Sequence, residues 1–189
     1  MTPAGYLLKH VARRPAWLKA LQVDDIYSLS GCVSANFTDY IQYWKHNGYW
    51  LFDAPAAMRA IATANNIDLA GTTLFYYEVF EEEYDEDTKT WRAFAPDASL
   101  PTKVKLPKAA RLGGFDVASF WAKASAECSP LSCNGLAETL AVNRHCLFAS
   151  LDEARQALQA GAFDNSEPGP FRIFAVHTVA MESTIVSAL

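Results

Sequence analysis

The sequence predicts an α+β fold built from two tandem halves, each running strand–helix–strand–helix–strand. Three observations carry this. Cys32–Phe52 and Cys128–Phe148 echo each other at one fixed offset, which sets Cys32 opposite Cys128, Asn47 opposite Asn143, Leu51 opposite Leu147 and Phe52 opposite Phe148. The same offset places Arg59 opposite Arg155. Strand-type runs close both halves, Thr73–Glu81 and Phe171–Val179, with Tyr77 opposite Phe174 and Val79 opposite Val176 after one residue of slack. Between them, residues 96–107 hold three prolines and little apolar periodicity, the composition of a linker. The expected organisation is therefore an N-terminal half over 1–95, a linker over 96–107 and a C-terminal half over 108–189, related by internal duplication. A single α/β sandwich is the alternative. Halves of this size leave a sheet face exposed, so they are expected to pack about a pseudo-two-fold axis into one core, with a groove at the junction as the default binding place.

Composition supports burial on that scale: 189 residues, 51% of them hydrophobic and 13% aromatic, provide ample core. No run of 18 apolar residues occurs, which argues against a membrane span. The first 15 residues lack the long apolar core of a secretory leader, so the default location is the cytoplasm. Four cysteines in that reducing compartment are expected to be free thiols.

In chain order, Tyr6–Arg14 reads as a short helix cut at Pro15, and Ile26–Ser30 as the first strand. Asn36 and Asp39 resemble a capping box for a helix to His46, with Phe37, Tyr40, Ile41 and Trp44 on one face. Asn47-Gly48 ends it, and Tyr49–Phe52 follows as a short strand. Asp53 is the expected cap of a helix over Pro55–Ala64, with proline in the first turn. After strand Thr73–Glu81, Thr90–Phe94 returns as a hairpin partner. The second half repeats the order: strand Asp116–Ala122, helix Asn134–Val142, strand Cys146–Ala149, then a helix capped by Ser150 with Glu153 three residues on. Parallel pairing of the second and third strands in each half would follow from a right-handed crossover.

The net charge of −5 is uneven. Glu81, Glu82, Glu83, Asp85, Glu86 and Asp87 carry −6, so the rest of the chain nets +1. This describes a nearly neutral protein with one acidic hairpin, and no basic face of the kind that grips nucleic acid.

Cys133 is the thiol best placed for chemistry, because the predicted helix start beside it would favour the thiolate, with His145 or His177 as base. The competing reading is a small apolar residue packed where the first half has Phe37. Cys128, Cys133, His145 and Cys146 have metal-ligand chemistry but poor spacing, since adjacent residues of a strand point to opposite faces. No metal and no cofactor is therefore expected. A disulfide between Cys32 and Cys128 is disfavoured by compartment. Arg59 and Arg155 could select an anion across the axis, although such arginines more often pair with a nearby carboxylate. Nucleotide, zinc-protease and serine-hydrolase signatures are absent.

The leading functional expectation is a non-enzymatic binding protein working through the acidic hairpin or the inter-half groove, for instance an immunity-type inhibitor of a basic effector. Its partner would be a basic protein, with no nucleic acid and no membrane, and an exposed edge strand invites a homodimer. The alternatives are a small thiol-dependent enzyme for transfer or hydrolysis using Cys133 with His145 or His177, and a carrier of small anions using Arg59 and Arg155.

Overall fold

A computed structural model describes residues 1–34, 47–122 and 125–180. The chain opens as strand β1 (Thr2–Lys9), not as a helix. Tyr6, Leu7 and Leu8 are all buried. Three consecutive buried residues suit a strand covered on both faces, whereas one helical face would bury them at intervals. Strands β2 (Ala12–Arg13) and β3 (Asp25–Ile26) form a separate two-stranded antiparallel sheet. Of the strand expected over Ile26–Ser30, only Ile26 lies in a ladder. The backbone N–H groups of Leu29 and Ser30 go to side chains of Asp116 and Ser129 instead. The helix expected from Asn36 to His46 lies outside the described residues.

Helix α1 (Pro55–Ala64) has the predicted bounds, with Pro55 in its first turn and Met58 and Ala62 on its buried face. Its N-cap is Ala54, not Asp53. Asp53 is occupied elsewhere, accepting from Asn47 Nδ2 at 2.9 Å and Lys103 N–H at 3.1 Å. Strand β4 (Thr73–Asp85) outruns its prediction and turns into β5 (Thr90–Ala93). Strand β6 (Arg111–Ser119) begins earlier than expected. The helix predicted over Asn134–Val142 does not form. A single turn, α2 (Pro130–Cys133), starts at Pro130 and stops at Asn134, followed by Gly135 at φ 72° and a 3-10 turn over Leu136–Glu138. Glycine in the left-handed region ends a helix there. Helix α3 (Leu151–Gln159) carries the predicted cap: Ser150 Oγ accepts from Glu153 N–H, and Glu153 Oε2 receives the Ala149 N–H. Strand β7 (Phe171–Val179) completes the fold at its predicted bounds.

The result is a mixed α+β fold with two sheets. The main sheet has the order β1–β4–β7–β6, with β5 beside β4, and every pairing is antiparallel. Among the described residues the expected parallel pairs do not occur. Trp50 and Cys146 adopt φ values of 62° and 60°, turning Tyr49–Phe52 and Cys146–Ala149 too sharply for strands. Each segment contributes one antiparallel bridge, Phe52 to Tyr6 and Phe148 to Phe115.

Two asparagines build these turns in the same way. Asn47 Oδ1 accepts from Tyr49 and Leu51 N–H, and its Nδ2 donates to the Ala4 carbonyl. Asn143 Oδ1 accepts from His145 and Leu147 N–H, and its Nδ2 donates to the Gly113 carbonyl. The residues that follow those carbonyls are Gly5 (φ +139°) and Gly114 (φ +145°), both at bulges in their strands. A Cβ there would lie 2.7 Å from the Phe52 carbonyl oxygen and 2.6 Å from that of Phe148. The central ladder pairs Tyr77 with Val176 and Val79 with Phe174.

Two apolar clusters flank this ladder. One gathers Tyr6, Phe52, Met58, Phe75 and Tyr77; the other gathers Phe148, Ala154, Phe163, Phe171 and Ile173. The linker stretch has no regular element, yet it is pinned. Asp97 N–H donates to Gly48 O, Lys105 N–H to Asp53 O, and the Tyr6 hydroxyl to Lys105 O.

Candidate functional site

Two buried charges organise the space between the sheet and residues 28–34. Lys9, at the end of β1, is 1% exposed, and its Nζ donates to the carbonyls of Ser28 and Ser30. Asp116, on β6, is fully buried. Its Oδ2 accepts from Leu29 N–H and from Ser129 Oγ, both at 2.7 Å. Ser129 Oγ in turn accepts the Ser30 N–H at 3.2 Å. Buried charges persist where hydrogen bonds surround them, and these fix the 28–30 backbone against the segment that begins at Ser129. Burial lowers the Lys9 pKa to about 8 against the pull of Asp116. Burial raises the Asp116 pKa to about 6, opposed by Ser129, Leu29 and Lys9.

That clamp delivers three thiols to one place. Residues 127 and 128 are held to the end of β6, with Ser119 N–H donating to Cys128 O and Glu127 N–H to Ser119 O. The single turn of α2 then carries Cys133 back over them, its N–H donating to Ser129 O. Two residues beyond Ser30 comes Cys32. The Sγ atoms of Cys32, Cys128 and Cys133 lie within 4.8 Å of one another. Cys32 is exposed, Cys133 half-buried and Cys128 buried. The thiols also have oxygen neighbours. Cys32 Sγ donates to Glu127 O at 3.1 Å, Cys128 Sγ to Asn134 Oδ1 at 3.3 Å, and Cys133 Sγ lies 3.5 Å from Ser30 Oγ.

Hydrogen bonding polarises the group. Cys128, then Cys133, then Ser30 stabilise the Cys32 thiolate and pull its pKa well down. The same bonds to Cys133 and Cys32 push Cys128 up, with burial adding to them. Cys133 is also raised: its bond with Cys128 favours the thiolate, but Cys32 and burial outweigh it. A one-turn helix supplies little dipole, and Cys133 ends α2 rather than starting it. Of the three sulfurs, the exposed one, Cys32, has the surroundings that most favour the thiolate.

The other predicted residues lie in different surroundings. His145 Nδ1 is 2.5 Å from Asp25 Oδ1, and its ring stacks on Tyr27 at 4.1 Å. His177 Nε2 is 3.4 Å from Glu78 Oε2, within ion-pair reach but not aligned as a hydrogen bond, and its ring packs on Tyr76. Cys146 is buried in the second apolar cluster, which raises its pKa to about 12. Of the metal-type set Cys128, Cys133, His145 and Cys146, the fold keeps the first two and replaces the others by Cys32.

Arg59 and Arg155 serve separate neighbourhoods. Arg59 is exposed beside a cleft of about 440 Å³ that it lines with Tyr6, Leu74 and Lys105. The Arg155 guanidinium stacks over Phe80 and Trp91, at 5.2 and 5.3 Å. The acidic run is divided as well. Glu83 is buried between Arg92 and Arg172, Asp85 pairs with Arg92, Glu86 accepts the Gly169 N–H, and Glu81 accepts from the Thr2 hydroxyl. Glu82 and Asp87 complete the run on the hairpin.

Cys32 and its supports Lys9, Asp116 and Ser129 escape a reading based on local motifs. The one signal was the Cys32–Cys128 echo, which set these two cysteines opposite each other by position in the sequence. No protein-family model matches the chain, and neither curated proteins nor solved structures give a match. No helix among the described residues is long and apolar enough to cross a membrane.

Proposed function

We propose that this is a thiol-dependent protein whose working group is the Cys32–Cys128–Cys133 centre. The observation that carries this is the approach of three sulfurs to within 4.8 Å of one another, with one of them exposed. Such a group suits thiol-dependent transfer by thiol–disulfide exchange. The Cys32 thiolate attacks a sulfur of a substrate disulfide, and the other substrate sulfur leaves as a thiolate. Cys133 then attacks the mixed disulfide, releasing the second substrate sulfur and leaving a Cys32–Cys133 disulfide. The substrate gains two electrons from the chain; Cys133 passes its proton to the departing substrate thiolate as it attacks, and solvent protonates the other substrate sulfur. Cys128 stays reduced, its thiol donating to Asn134 Oδ1. No histidine base enters this scheme, because His145 and His177 are engaged with Asp25 and Glu78.

An internal duplication is part of this proposal. Matched asparagine turns, matched glycine bulges and a central ladder pairing Tyr77 with Val176 and Val79 with Phe174 all fit two halves about a pseudo-two-fold axis. Cys32 and Cys128 are then equivalent positions meeting near that axis, and Cys133 is the addition that makes the pair a triad. A partner-binding role for the acidic hairpin draws less support, since Glu83, Asp85 and Glu86 are spent on internal bonds.

The test is native-state alkylation with iodoacetamide followed by peptide mapping, together with exposure to a small disulfide. Cys32 is expected to label first, and the disulfide is expected to leave a Cys32–Cys133 cross-link that Cys32→Ser abolishes. Four thiols silent until denaturant is added would end the thiol reading.

A further inference from the structure

We propose that the Cys32–Cys128–Cys133 centre binds a thiophilic divalent cation of the zinc class, held by three sulfurs with one coordination position open. The inference rests on the thiol reading above and names the ligand of that site. Zinc–sulfur bonds of about 2.3 Å place sulfurs sharing one ion about 3.8–4.0 Å apart. Even at the 4.8 Å limit, closing on an ion takes each sulfur inward by about 0.5 Å, within the reach of small χ1 rotations. The ligands come from two anchored segments. Cys32 follows the backbone held by Lys9 and Asp116, while Cys128 and Cys133 flank the Ser129 that Asp116 grips. A site whose ligands are already positioned spends little on ordering them.

The surroundings suit a soft ion. Thiolates select zinc-class and other soft metals over hard cations, which take oxygen ligands. Asn134 approaches Cys128 Sγ with its amide at 3.3 Å. Rotated by half a turn about its last bond, that amide presents N–H to a metal-bound thiolate, the outer hydrogen bond that such ligands use. The exposed side of Cys32 leaves the fourth position to water or to a small donor, as in zinc sites that stay reactive. Binding would displace the thiol protons and cover the nucleophile, so metal and disulfide compete for the same sulfurs.

The experiment is a titration of the fully reduced full-length chain with Zn²⁺ against a chromophoric chelator, repeated with Co²⁺ to read thiolate-to-metal charge transfer. One ion per chain, a near-ultraviolet Co²⁺–thiolate band and protection of Cys32 from iodoacetamide are expected. Cys32→Ser and Cys133→Ser should each weaken binding at least tenfold, and Cys146→Ala should leave it unchanged. Cys32 is exposed, so its variant keeps the test valid even where Cys128→Ser fails to fold. Binding below one equivalent, or binding that Cys32→Ser does not weaken, would overturn the metal site. Thiols that label and cross-link without taking metal would defeat this inference alone. Thiols silent in both assays would defeat the thiol reading with it.

Discussion

Asp116 Oδ2 accepts the hydroxyl of Ser129 and the N–H of Leu29, both at 2.7 Å, so one buried carboxylate ties together two segments separated by a hundred residues of chain. Its other oxygen, Oδ1, is buried with no protein partner. The charge is thus held by two strong bonds and penalised by burial at the same time.

That balance sets a pH dependence. The folded pKa of Asp116 is raised to about 6 from an ordinary value of 3.8. Between those values the folded state binds more protons than the unfolded chain, so this group's stabilisation is fully present below the lower value and is lost as pH rises through 6. The loss is on the order of 2 to 3 kcal/mol. Urea midpoints measured from pH 4 to 7 should fall more in the wild type than in Asp116→Asn. Parallel curves for the two proteins would remove Asp116 as the cause.

The asparagine turns should be among the most sensitive polar positions. Asn143→Ala deletes two accepted N–H bonds and a donated bond to Gly113 O, leaving backbone groups unpaired around a tight turn. Net losses of about 1 kcal/mol per bond, plus the cost of any group left dry, predict destabilisation of about 3 kcal/mol. Asn47→Ala should cost a similar amount by chemical denaturation. A cost near zero at either site would mean water replaces the side chain.

Glycines separate strain from crowding. Gly114→Ala combines a φ of +145° with a Cβ 2.6 Å from a backbone oxygen and is expected to cost about 3 kcal/mol or more. Gly71→Ala meets only His10 Nδ1 at 3.9 Å and keeps a left-handed φ of +73°, so about 1 kcal/mol is expected. Thermal melts of the two variants should differ widely; equal shifts would refute the steric part of the account.

Arg172 is another buried charge with a structural task. It donates to Glu83 at 2.9 Å and lies between the rings of Phe94 and Phe120, at 3.6 and 4.1 Å. Arg172→Met should cost about 3 kcal/mol because Glu83 keeps only Arg92, while the double variant Arg172→Met/Glu83→Gln should recover part of it. A double variant less stable than the single one would contradict this.

Much of the framework was legible in the chain. Helices α1 and α3 and strand β7 announced themselves through periodicity, proline placement and the Ser150–Glu153 box. The echo of Asn47 by Asn143 was also visible, although the sequence suggested helix ends and strands where the fold makes side-chain-supported turns. Strand β1 was misread because Tyr6, Leu7 and Leu8 are apolar without alternation, a pattern that fits either period. The parallel pairing failed because a positive φ at Trp50 and Cys146 cannot be read from residue type. The site was half legible. Cys133 stood out, but its position at the end of a short turn removed the dipole argument, and its partners arrive from 101 and five residues away. Long-range approach of that kind leaves no local periodicity.

The Phe52 and Phe148 bridges have a consequence for aggregation. In the main sheet β1 and β6 are terminal strands, and three of their positions are already engaged on the outer side: Tyr6 exchanges bonds with Phe52, Phe115 with Phe148, and Ser119 with the Glu127–Cys128 segment. These short clasps occupy positions a foreign strand would otherwise use, the way natural sheets guard open borders. The Phe52 and Phe148 clasps depend on the asparagine turns rather than on ladders of their own. A lesion at Asn47 or Asn143 would therefore do more than soften the fold: it would unguard a sheet border and give self-association a template.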